Sequence, residues 1–154
     1  MNKLIKLFSI LIYMVIFSTA NADDLTKQNV NVFLVSIDKA AVMKNANIIS
    51  DTLSENVVII INMTMEDKKQ IMKLTKKDYV SILKRGWSIY KNYKYTRTNI
   101  NIKIKNNKAF VTSNIKESMT IEGKNISGSS KEETTIELID GKLLITKLVG
   151  YTSM

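Results

Sequence analysis

Between Lys91 and Tyr151 apolar and polar residues alternate through four consecutive runs separated by turn signals. A segment with that period can bury its apolar side chains only as a sheet with one covered face. From Thr98 to Lys105, Ile100, Ile102 and Ile104 share one face, and Asn99, Asn101, Lys103 and Lys105 the other. Asn106-Asn107 supplies two residues that tolerate positive φ, which suits a tight hairpin. Ala109, Val111, Ser113, Ile115, Glu117, Met119 and Ile121 then repeat the period of two. Gly123 to Ser130 is small and polar and reads as a loop. The third run (Thr134, Ile136, Leu138) ends in Asp140-Gly141, a strong hairpin dipeptide, and Lys142 to Thr152 pairs back as the last strand. Short connections make neighbours in space of neighbours in sequence, so the expectation is a long, curved antiparallel meander. The preceding segments should form helices and a short hairpin covering one of its faces.

Met1 to Ala22 has the pattern of an export signal. Lys3 and Lys6 give a positive start, Leu7 to Phe17 is mostly apolar, and Ala20-Asn21-Ala22 offers small residues for cleavage. Cleavage there starts the mature chain at Asp23, in the periplasm or outside the cell. The alternative is an uncleaved anchor, although the apolar run falls short of the roughly 20 residues that a spanning helix prefers. Removing 22 residues leaves 132 of the 154, a single domain with a real core. Cysteine is absent, so no disulfide staples the fold.

After Asp23-Asp24, with Asp24 or Thr26 as cap, Val30, Phe33, Leu34, Ile37, Ala40 and Ala41 recur at helical spacing to about Lys44. A shorter helix is expected from Asn47 to Leu53, with Ile48, Ile49 and Leu53 inward. Val57 to Ile61 is β-branched and reads as a buried strand. Glu66-Asp67-Lys68-Lys69 turns the chain, and Gln70 to Leu74 returns. Thr75 starts a third helix with Asp78 three residues later in a near capping box, and Tyr79, Val80, Leu83, Trp87 and Tyr90 form its apolar stripe. Trp87 is then a packing anchor, or a stacking surface for a ligand.

Lys44 to Val57, a short helix running into a strand, resembles the corresponding segment of the nuclear transport factor 2-like superfamily. Asp140-Gly141-Lys142-Leu143-Leu144-Ile145 resembles that superfamily's closing hairpin. In its order of elements the chain resembles an exported bacterial member near the SnoaL-like group. The resemblance implies an α+β roll: a cone-shaped, curved antiparallel sheet packed by three N-terminal helices around a cavity. Members of the superfamily use that cavity for isomerase, cyclase or dehydratase chemistry, for holding ligands, or as packed core, and many associate through the open sheet face. A homodimer through that face is one expectation, and a domain of an envelope secretion assembly behind an uncleaved helix is another.

The composition removes several chemistries. Without His or Cys there is no Ser-His-Asp triad, no imidazole base, no thiol nucleophile and no zinc site of His and Cys. Five glycines form no phosphate-cradling motif, and there is no EF-hand loop. Neither cofactor nor metal is expected. A site must be built from carboxylates, tyrosines, lysines or arginine. Glu117 is the candidate catalytic residue, because alternation puts it between Ile115 and Met119 on the apolar face, where desolvation works against the charged form as general acid or base work requires. A β-bulge would turn it out to solvent instead, and a rim lysine could pair with it. Tyr93, Tyr95 and Arg97, with Trp87, are the candidate ligand-binding residues. Strict alternation puts the first three on the outer face, opposite in phase to Ile100, as an aromatic and cationic patch. A bulge would bring them into the cavity, and ordinary sheet packing also accounts for them.

The formal charge is +9, or +7 without Lys3 and Lys6. From Lys68 to Lys108 there are 13 Lys or Arg against Asp78 alone, so the third helix and first meander strand should present a positive surface. Its reading is either an anionic partner or a solvated face, while no motif supports nucleic acid. A membrane enters only if the signal segment stays uncleaved. The leading expectation is an exported, non-enzymatic module that binds an anionic partner or a small hydrophobic ligand. The second is a SnoaL-like lyase or isomerase with Glu117 as base.

Overall fold

The computed structural model describes residues 25–65 and 68–153; the expected export signal, the expected Asp24 cap and the expected turn at Glu66-Asp67 lie outside them. Three helices and six strands follow in the order α1 (Lys27–Val42), α2 (Ala46–Asp51), β1 (Leu53–Met65), β2 (Lys68–Leu74), α3 (Lys76–Ile89), β3 (Lys91–Lys105), β4 (Lys108–Ile121), β5 (Lys124–Ile139) and β6 (Lys142–Ser153).

Each helix starts where a side chain can satisfy a free amide. The Thr26 hydroxyl accepts from the Asn29 amide, and Asn45 from that of Ile48. Thr75 and Asp78 form the complete capping box. Leu53, where the second helix was expected to end, belongs to β1, and α2 stops at Asp51. The inward stripe of α1 is buried as the spacing requires: Val30, Phe33, Leu34, Ile37, Ala40 and Ala41.

All three hairpins of the meander turn on two residues with positive φ, the twist that matches paired strands. They are Asn106-Asn107 (51° and 55°), Glu122-Gly123 (49° and 79°) and Asp140-Gly141 (49° and 72°). The middle turn corrects the expected loop over Gly123 to Ser130. With Glu122-Gly123 reversing the chain by themselves, Ser127 pairs with Ser118 and Gly128 with Glu117, and β5 runs 16 residues. The segment's small polar residues mark an exposed stretch of strand. The sheet order is β2-β1-β6-β5-β4-β3. The amino-terminal hairpin therefore widens the sheet rather than covering it, through a parallel pairing of β1 with β6 (Ile59 with Leu148, Ile60 with Val149). The core lies between the helices and the concave face, where Leu34, Ile37 and Trp87 join Val111, Ile136 and Leu148 in one buried cluster.

One irregularity decides what that face carries. Between Thr98 and Asn101, two residues of β3 stand opposite one of β4, and Asn99 takes φ 53°. This is a β-bulge, and it reverses the phase of the strand before it, back to a second shift at Asn92 (φ 51°). Ile102 keeps its place in the core. Ile100 sits at the bulge and is 40% exposed, and Ile104 at the strand's end is 38% exposed, so of the expected row of three buried isoleucines only Ile102 packs against the core, half-buried. A branched side chain is strained at the left-handed φ of Asn99, whereas Asn and Gly are not. Asn99→Val should cost about 1–3 kcal/mol and Asn99→Gly close to nothing, read from urea unfolding midpoints.

Candidate functional site

The bulge brings Tyr93, Tyr95 and Arg97 inward, the alternative to the outer patch that strict alternation would give. Their partners on β4 are the inward residues: Arg97 lies opposite Ile115 and Tyr95 opposite Glu117. β4 has no bulge between Ala109 and Glu117, so its alternation holds and Glu117 also faces in. Trp87, from α3, is buried and closes the same space. All five residues singled out from the sequence line one cavity of about 240 Å³, with Tyr79, Leu34, Leu148 and Glu132 among its other walls.

Two polar groups occupy it. In the first, the Tyr93 hydroxyl donates to Glu117 Oε1. The Tyr93 ring packs between Trp87 (centroids 6.2 Å apart, planes at 57°) and Tyr90 (6.0 Å, 28°). Gly86 permits this arrangement, because a Cβ there would meet the Tyr90 hydroxyl at 3.0 Å. The second group centres on Arg97, whose side chain is 3% exposed. Its Nε donates to Asp38 Oδ1 (2.8 Å), its Nη1 to Ser113 Oγ (2.8 Å) and Glu132 Oε1 (2.6 Å), and its Nη2 to the Tyr95 hydroxyl (2.8 Å). Thr134 Oγ1 donates to Glu132 as well. Burial pulls the Arg97 pKa down, but Glu132, Tyr95 and Asp38 more than reverse this and hold it above the usual guanidinium value. Arg97 is thus a permanent interior cation with its charge answered twice.

Asp38, Ser113 and Glu132 were not singled out from the sequence. Glu132 carried a usable signal, since it shares the phase of Thr134 and Ile136 and so points inward by the same alternation that placed Glu117. Asp38 carried none, because it sits at the margin of the α1 stripe next to Ile37, where helical spacing does not separate rim from surface. The positive face loses Arg97 to the interior; Lys94 stays outside, exposed opposite Ser118.

Tyr79, Tyr93 and Tyr95 are all held well above the ordinary phenol value, in each case first by burial. Negative neighbours add to it: Glu132 and Glu117 at Tyr79, the Glu117 hydrogen bond at Tyr93, and Glu132 and Asp38 at Tyr95, where Arg97 works the other way. The fold therefore favours the neutral phenols. Their contribution to stability is complete below about pH 10, the unfolded value, and is lost as the pH rises above it. In an alkaline titration these three should form phenolate only as the protein unfolds, so that the ultraviolet phenolate signal and the loss of circular dichroism coincide. Phenolate formation at all tyrosines while the fold is intact would contradict this.

A curved sheet wrapped round a cavity, closed by three helices, is the nuclear transport factor 2-like cone, and this chain has that fold. No protein-family model and no curated protein matches the sequence, but solved structures do. A nuclear transport factor 2-like protein from Cytophaga hutchinsonii matches over 83% of this chain and 99% of its own (TM-score 0.65, 12% identity). A candidate scytalone dehydratase from Novosphingobium aromaticivorans matches over 81% and 82% (0.64, 12%). A candidate calcium/calmodulin dependent protein kinase II association domain from Xanthomonas campestris matches over 84% and 89% (0.64, 14%). At such identities the likeness establishes the fold alone.

Proposed function

We propose that this chain is an exported binding protein whose cone holds one small, largely apolar molecule against Glu117 and Tyr93. The observation that carries this is the cavity itself. At about 240 Å³ it exceeds the roughly 150 Å³ of an apolar cavity able to hold benzene and lies just below the usual ~300–1,000 Å³ of ligand pockets. Its walls are mainly aliphatic and aromatic, and its polar atoms converge at two places, the usual make-up of a small-molecule site. Arg97 commits four of its five N–H donors to Asp38, Ser113, Glu132 and Tyr95, so it chiefly shapes the wall rather than reaching for a ligand. Tyr93, its pKa pushed up by burial and by its hydrogen bond to Glu117, stays a neutral phenol and is a poor source of protons. That favours holding a ligand over transforming it.

The second reading, a SnoaL-like isomerase or lyase, draws support from Glu117 facing the cavity beside a tyrosine donor. A ligand recovered chemically unchanged after long incubation favours binding. Turnover that disappears in Glu117→Gln favours the enzyme.

Trp87 is the chain's single tryptophan and lines the cavity, so its emission reports occupancy. In titrations with single-ring compounds, some should shift Trp87 emission saturably and raise the melting temperature. A panel that does neither would remove the pocket as a binding site. Export has its own check: intact mass of the protein made in a bacterial host should begin at Asp23, and a product retaining Met1 to Ala22 would favour the anchored alternative.

A further inference from the structure

We infer that the ligand is a small organic cation, an ammonium group on a ring or short apolar stem; this rests on the pocket-binding reading above. The chain is basic overall, but its basic residues stay out of the cavity. Of the 13 Lys and Arg between Lys68 and Lys108, Arg97 alone lines it. The carboxylates on the wall are Glu117 and Glu132. Arg97 is already answered by Glu132, and again by Asp38 from α1. Among the described residues Glu117 enters no ion pair; its partner is the neutral Tyr93 phenol at Oε1, which leaves Oε2 to accept from a ligand. The interior thus holds one carboxylate more than its neighbours balance, two counting Asp38 against the single guanidinium.

The rest of the wall suits the same charge. Trp87 and Tyr79 line the cavity with Tyr93 and Tyr95, and aromatic rings attract a desolvated cation, Trp most strongly; the Tyr95 ring already has Arg97 over it, 5.9 Å from its centroid. The phenols feel a negative surrounding, since carboxylates hold Tyr79 and Tyr93 further toward the neutral form than burial alone does. An anion would meet Glu117 and Glu132 with no unpaired cation to receive it. A neutral ligand would leave the second oxygen of Glu117 to a weaker donor. An ammonium donates to that oxygen as a charge-assisted bond while the rings cover its stem. The lysines outside do not oppose this strongly, because they are solvated and screened over about 8–10 Å at ordinary salt.

The test compares three probes of one shape on the mature chain from Asp23: benzylamine, benzyl alcohol and benzoate, titrated by Trp87 emission and calorimetry. Benzylamine should bind about 10- to 100-fold more tightly than benzyl alcohol, the range of one charge-assisted hydrogen bond, with benzoate weakest. Glu117→Gln should erase that preference, bringing benzylamine to within a few-fold of benzyl alcohol, and a far-ultraviolet circular dichroism spectrum matching that of the parent chain shows that the variant is folded. Benzyl alcohol or benzoate binding as tightly as benzylamine would overturn the cationic ligand and leave the pocket standing, as would a preference surviving Glu117→Gln. Binding of none of the three, with no effect on melting, would take down the pocket reading and this inference with it.

Discussion

The extra residue at Asn99 is the constraint on which the interior depends. Without it, β3 has to choose: either Ile102 faces the core or Arg97 does, since both cannot lie on one face of a regular strand when their positions differ by an odd number. The bulge lets one strand do both. Its amino-terminal half delivers Tyr93, Tyr95 and Arg97 to the cavity, and its carboxy-terminal half delivers Ile102 to the packed core under α1. Bulges also bend and twist the strand that carries them, which is what a sheet closing into a cone requires. Shape and polarity therefore have one origin.

Once Arg97 is inside, the surroundings are dictated by its charge. A guanidinium cannot shed its proton to escape burial, and an unanswered charge in the interior is far costlier than a paired one. The answer is assembled from three parts of the chain: Asp38 of α1, Ser113 of β4 and Glu132 of β5, with Tyr95 of the same strand below. The ion pair with Asp38 fixes α1 across the sheet in one register, a role that apolar contact with Leu34 and Ile37 serves less sharply because apolar surfaces slide. Such a network adds little net stability compared with well-packed apolar residues. Its effect is to hold the cavity's wall in one arrangement.

Most of the architecture was legible in the sequence because it rests on local patterns: the helical stripe from Val30 to Ala41, the Thr75–Asp78 box, and the dipeptides Asn106-Asn107 and Asp140-Gly141. Glu117 was legible for the same reason, since β4 keeps an unbroken alternation across the stretch that matters. What escaped were departures from period two. Nothing in Thr98-Asn99-Ile100 announces a bulge except an asparagine, which is equally at home on a solvated face, and so the cavity placement of Tyr93, Tyr95 and Arg97 stood only as the alternative to strict alternation. Glu122-Gly123 is a weaker turn signal than Asn-Gly or Asp-Gly, and the serines and Gly128 beyond it have the composition of a loop, so β5 looked half its length. The parallel pairing of β1 with β6 joins residues almost 90 positions apart. No local pattern encodes that; it follows from which apolar edges remain once the meander has formed.

Charge gives the sharpest contrast between composition and structure. A formal +9 suggests an anionic partner, and that inference belongs to the surface, where lysine heads remain in water at little cost. Inside the cone the sign is set by a different rule, because each charge must justify its desolvation by a partner. Lysine's long stem lets it leave such a site, and every lysine of the basic stretch does, while arginine stays with two carboxylates around it. Glutamate at position 117 stays as well, facing a phenol held neutral by the same burial. A ligand entering the cavity meets this inner balance at hydrogen-bond distance and the outer lysines only through water and salt, so the interior carboxylates, rather than the net charge of the chain, decide which sign it prefers.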